Sequence, residues 1–165
     1  MEKVAKHSLR YKGMVTITIR KGKDKGAIRL ILDNVVTNVG KAQAAGLLNG
    51  IVTTPFKYIA IGDGSDSSPG SCSSEQATDT ALGHELARKQ GTTSRTTTSV
   101  TNDTAVVEAT FSSDDGLTGT ATLCESGLFD ASTGGNMFAR LTFPVINLDW
   151  DNGDSITIQW KVQVQ

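Results

Sequence analysis

Asp154-Ser-Ile-Thr-Ile-Gln-Trp-Lys-Val-Gln-Val164 sets Ile156, Ile158, Trp160, Val162 and Val164 on one side of an extended chain and Thr157, Gln159, Lys161 and Gln163 on the other. A period of two over so many residues specifies a strand with one buried face. Gly13-Met-Val-Thr-Ile-Thr-Ile-Arg20 repeats the pattern, with Val15, Ile17 and Ile19 on one face and Thr16, Thr18 and Arg20 on the other. Working out from these two, strands are expected at Ala27 to Leu32, Pro55 to Ile61, Thr96 to Val100, Thr104 to Phe111, Gly119 to Cys124 and Asn136 to Phe143. Asp114-Asp-Gly, Thr133-Gly-Gly and Asp151-Asn-Gly-Asp provide turns between them. Strands at this spacing predict a mainly β fold, a sandwich or small barrel.

Two segments break the period. Val39, Ala42, Ala45, Leu47 and Leu48 recur at three or four, after a capping Thr37 or Asn38 and before Gly50, which predicts a helix. Thr78 to Lys89, with Leu82 and Leu86 four apart, predicts a second short helix or turn interrupted by Gly83. Between them, Gly62 to Ser74 is loop chemistry throughout.

The composition agrees with strands and turns: 165 residues, 38% hydrophobic, 5% aromatic, 17 Gly, and Thr more frequent than Gly. That length suits one folding unit. No apolar run reaches membrane-span length and no signal-peptide core follows Met1, so neither is expected. Two cysteines, Cys72 and Cys124, are too few for a disulfide scaffold or a zinc site and are expected to be reduced.

The formal charge of −1 conceals two ends. Met1 to Leu30 holds nine Lys or Arg against two acids, a net +7, and the remainder holds seven against fifteen, a net −8. Residues 1–33 therefore divide off as a basic arm and β-hairpin from a β-rich body at 34–165, within one folding unit. Lys3, Lys6, Arg10, Lys12, Lys21, Lys23 and Lys25 could neutralise phosphates, but only Tyr11 interleaves as an aromatic, which gives single-stranded bases little to stack on. The expected use of the arm is contact between subunits: strand addition through the Val15, Ile17, Ile19 face, with Lys12, Lys21, Lys23 and Lys25 selecting an acidic neighbour.

Catalytic and metal motifs are incomplete. His84-Glu85 begins like a zinc-protease helix, but position 88 is Arg88 instead of the second His. Asp149 to Asp154 has alternating oxygens but not the glycine and Glu spacing of a calcium loop. Gly62-Asp-Gly64 lacks the lysine of a phosphate-binding loop. No catalytic residue, cofactor or metal is expected, and Asp63, His84, Asp149 and Asp151 are expected to bind no ion.

Tyr58-Ile-Ala-Ile-Gly-Asp-Gly64, Asp79-Thr-Ala-Leu-Gly-His-Glu-Leu-Ala-Arg88, Glu125-Ser-Gly-Leu-Phe-Asp-Ala131, Phe138 to Pro144 and Asn152 to Ile158 follow one another in an order and spacing that resemble the tail-collar fibre family of tailed bacteriophages. The resemblance runs from about Leu47 to the C-terminus. It implies a virion structural module without catalytic residues, assembled in the host cytoplasm. The implied partners are itself, as a homo-oligomer with a trimer as one candidate symmetry, and other virion proteins. Neither a membrane nor a small-molecule substrate is implied, and nucleic acid is the lesser alternative. The motif residues carried by the resemblance are Gly62, Asp63, Gly64, Glu85, Arg88, Glu125, Gly127, Leu128 and Phe129. Leu128 and Phe129 are expected in the core beside Gly127, and Glu125 is expected to pair with Arg88 or Arg140. The added basic hairpin and the lack of a shaft after Gln165 suggest a complete small virion protein of tail, collar or fibre-adaptor type, with head decoration as the alternative.

Overall fold

A computed structural model describes residues 9–22 and 26–165. The described residues form ten strands, β1 Tyr11–Arg20, β2 Ala27–Leu32, β3 Val35–Val36, β4 Tyr58–Gly62, β5 Glu85–Gln90, β6 Thr92–Thr96, β7 Thr104–Phe111, β8 Thr120–Phe129, β9 Met137–Asp149 and β10 Ser155–Val164, and an α-helix, α1 Asn38–Asn49. They build two five-stranded sheets, ordered β2-β1-β10-β7-β6 and β3-β9-β8-β4-β5, with every pairing antiparallel. Neither sheet closes on itself, so the architecture is a β-sandwich and not a barrel.

The inward residues of both sheets merge in one apolar cluster. Val15, Ile17 and Ile19 of β1 meet Val107 and Phe111 of β7 and Ile156, Ile158 and Trp160 of β10. From the other sheet come Ile59 and Ile61, Leu123 and Leu128, Leu141 and Leu148. A smaller cluster of Ala60, Leu82, Phe129 and Met137 lies on the far face of the second sheet. Both faces of β4 and β8 are therefore covered, which explains the apolar run of β4 and the unbroken burial of Leu123 to Phe129 in β8.

Helix α1 matches the predicted span. Thr37 caps it, its hydroxyl accepting from Gly40 N–H at 2.8 Å and donating to the Met137 carbonyl, and Gly50 ends it in the left-handed region at φ 78°. Gly40 allows the helix to touch β9, since a Cβ there would lie 2.3 Å from the Phe138 carbonyl oxygen.

Several expectations are corrected. The N-terminal hairpin is not an arm: β1 pairs with β10 over ten residues, Tyr11 opposite Val164 through Arg20 opposite Ser155. Val15 and Ile17 have no exposed surface, so the face expected to dock on a neighbour is part of the chain's own core. Thr78 to Lys89 contains no helix; Gly83 and His84 are held by Glu125 and the chain then enters β5, where pairing with β4 outweighs the four-residue spacing of leucines.

The strand expected at Thr96 to Val100 lies earlier, at β6. Asp103 accepts from the N–H groups of Thr98, Ser99 and Val100 and curls that segment into a loop. Those donors, Val100 first among them, hold the Asp103 carboxyl far below the usual carboxylate range. Strand β9 continues through Pro144 because the β8 ladder passes from Ile146 to Thr142 with an irregularity there, where no N–H is required of the proline. Strand β8 likewise extends through Glu125 to Phe129.

Cys72 and Cys124 are bridged, with Cα atoms 5.9 Å apart, against the expectation of two thiols. The loop from Asp63 to His84 is laid over the outer face of the second sheet, which brings together cysteines 52 residues apart.

Candidate functional site

The motif residues other than Leu128 gather on the outer face of the second sheet or in the loop and edge strand beside it. Odd-numbered Glu125, Gly127 and Phe129 of β8 point to that side, and register places Gly127 opposite Arg140 of β9 and opposite Ala60 of β4. Glu125, with no exposed surface, accepts from Arg140 Nε at 3.0 Å and Nη2 at 2.7 Å, and from the N–H groups of Gly83 at 3.1 Å and His84 at 3.0 Å. Arg140 Nη1 reaches on to Asp79 at 2.8 Å. Of the two arginines considered for Glu125, the partner is therefore Arg140. Burial weakens its hold on the proton, but Asp79 and Glu125 overcome that and raise its proton affinity. Burial similarly opposes ionisation of Asp79, and the hydrogen bonds from Arg140 and Gln76 N–H prevail and depress its pKa.

Arg88 has a different task. It forms a two-nitrogen pair with Glu85, donates through Nη1 to the carbonyls of Ala131 at 3.0 Å and Gly134 at 2.7 Å, and stacks its guanidinium 3.6 Å from the Phe129 ring centre. It thereby fastens the turn between β8 and β9. Leu128 and Phe129 are both buried, but in different clusters, Leu128 between the sheets and Phe129 on the outer face.

Gly62 and Gly127 are required by crowding. A Cβ on Gly62 would fall 2.3 Å from the His84 carbonyl oxygen and 2.8 Å from Glu125 Oε1; one on Gly127 would fall 2.7 Å from the Phe129 ring. Gly64 adopts φ +81° and lies against Ser71 and Cys72. Asp63 is buried and takes the His84 Nδ1 at 2.7 Å, joining the two ends of the loop. That hydrogen bond, with the nearby carboxylates, raises the proton affinity of His84 above its usual value. His84 Nε2 lies 4.0 Å from Asp66, and no serine, threonine or cysteine is hydrogen-bonded to the ring among the described residues. The Asp63–His84 couple is an orienting pair with no nucleophile attached. Among those residues no three His, Cys, Asp or Glu side chains converge as metal ligands, and no helix is long and apolar enough to cross a membrane.

The proposed assembly residues are dispersed. Lys12 is exposed on the outer face of the first sheet. Lys21 turns back on its own chain, donating to Asp154 at 2.8 Å and to the Asn147 carbonyl, so it does not project toward a neighbour. Asp154 also accepts from Gly22 N–H and Asp149 N–H at 2.8 and 2.9 Å, and these donors overcome burial to depress its pKa. The Asp149 to Asp154 stretch is thus a turn tied to the β1–β2 hairpin. Lys23 and Lys25 lie outside the described residues.

Sequence reasoning missed the exposed edge of β2. Ile28 is 57% and Ile31 60% exposed, on opposite sides of a strand that, among the described residues, pairs only with β1. The signal was present in Ala27-Ile-Arg-Leu-Ile-Leu32, which is apolar on both faces in a position with only one face over the core.

No protein-family model, no curated protein and no solved structure matches this chain.

Proposed function

We propose that this protein is a non-enzymatic structural building block of a tailed-bacteriophage virion, of tail, collar or fibre-adaptor type, acting through contacts between subunits. The observation that carries this reading is how the resemblance motifs are used. Glu125, Arg140, Asp79, Gly62 and Gly127 are occupied in bolting one long loop to a sheet, by hydrogen bonds, an ion network and close packing beside a disulfide, and Arg88 fastens the turn between β8 and β9. A scaffold of that kind presents a rigid body without offering a reactive group. Its free resource is surface, and the edge of β2, with Ile28 and Ile31 exposed, is one apolar part of it.

Particles produced without this chain and compared by electron microscopy with complemented ones should lack a tail, collar or fibre component. Capsids that keep intact tails but rupture at lower temperature would favour the head-decoration alternative. Steep salt-dependent retention of the purified protein on DNA, with particle assembly unaffected, would favour the nucleic-acid alternative.

A further inference from the structure

The sandwich has four edges, and three are blunted. β3 has two residues, β5 is offset by an irregularity at Ile61/Gly62 and carries Glu85, Arg88 and Lys89, and β6 is the polar run Thr92-Thr-Ser-Arg-Thr96. β2 is six residues long and, among the described residues, hydrogen-bonded on one side only, with Ile28 and Ile31 exposed. Arg29 within it and Asp33 just after it are both exposed, and neither has an ion pair among the described residues.

We propose that β2 pairs antiparallel with β2 of a second copy of this chain, about a twofold axis passing beside Ile31. A twofold normal to a sheet keeps each residue on its own face, so residues of like parity must stand opposite one another. Three registers near the centre of β2 satisfy this. Centring on Arg29 sets two guanidinium groups face to face, which is repulsive. Centring on Leu30 puts each Arg29 opposite an isoleucine. Centring on Ile31 puts Ile31 against the partner's Ile31 and Leu30 against the partner's Leu32, and it sets Arg29 opposite the partner's Asp33 twice by symmetry. This last register alone neutralises the charges of both Arg29 and Asp33, and it sets the exposed Ile31 against its own copy while Ile28 falls opposite Asn34. The two first sheets then continue as one ten-stranded sheet. The symmetry is twofold and therefore differs from the trimer that the resemblance suggests.

The pairing deepens the building-block reading and rests on it only for its use in a particle. It is a property of the purified chain and is tested separately by sedimentation velocity over a range of concentrations. The intact chain should show a reversible dimer. Arg29→Asp and Asp33→Arg, each placing like charges opposite one another, should each weaken it about tenfold or more, and the double variant should restore it to within about threefold of the original. Both sites are exposed, and circular dichroism should be unchanged. As a second readout, Ile31→Cys adds a thiol to a chain whose described cysteines are bridged, and mild oxidation should join two copies through it. A chain that stays monomeric to millimolar concentration, a dimer indifferent to the single reversals, or a double variant that fails to recover would each overturn the pairing. None of these results would by itself remove the protein from the virion, which is measured in particles.

Discussion

Glu125 carries more of the loop's attachment than any other side chain, because one buried carboxylate answers four donors drawn from β9 and from the loop itself. Glu125→Ala would leave Arg140 with Asp79 alone and two N–H groups without an acceptor. We expect a loss of about 3–5 kcal/mol in urea unfolding, the usual cost of removing one member of a buried pair; a loss under about 1 kcal/mol would show that the network relaxes. His84 offers a readout with a defined sign. Its folded proton affinity is raised above the ordinary 6.5, so its contribution to stability is complete below pH 6.5 and disappears as the pH rises through the folded value. The melting temperature of the intact chain should therefore lose a component across that window that His84→Gln lacks. Asp79, Asp103 and Asp154 act oppositely: their depressed values stabilise the fold above the ordinary 3.8, and that stabilisation is lost as acid takes the pH down through the folded values.

At the scale of elements, the loop from Asp63 to His84 is long yet fixed, by a disulfide near its middle and ion pairs toward its end. The bridge closes a span of 52 residues, for which chain-entropy arguments give about 4 kcal/mol. Thiol titration of denatured, unreduced protein should find no reactive cysteine, and reduction should lower stability by about that amount. Two free thiols would contradict the bridge. Elements with a clear period were legible in sequence: β1 and β10 follow two-residue alternation, and α1 follows its caps. What was illegible depended on distant partners. Leu82 and Leu86 have helical spacing, but Leu82 is drawn into a cluster with Phe129 and Met137, and Leu86 belongs to a strand created by β4. Nothing near Cys72 in sequence points to Cys124. Gly62, Asp63, Gly64 and Glu125 were named in the sequence as motif residues, whereas Asp79, which pairs with Arg140 beside them, was given no role within the segment read as a short helix or turn.

For the whole molecule, the charge division between the first thirty residues and the rest was real in sequence but misleading as anatomy. β1 is an inner strand of the first sheet, between β2 and β10, and Lys21 closes onto Asp154. Deleting residues 1–25 would remove Val15, Ile17 and Ile19 from the core and bare the edge of β10. The truncated chain should be insoluble or unfolded by circular dichroism; a stable, soluble body would mean that β1 is dispensable. The central claim is that this compact scaffold is a part of a virus particle. Quantitative mass spectrometry of particles purified through a density gradient tests it most directly. The account predicts the protein at a fixed copy number per particle, preserved after washing in high salt, and it is contradicted if the protein is abundant in the infected-cell lysate but absent from the particles.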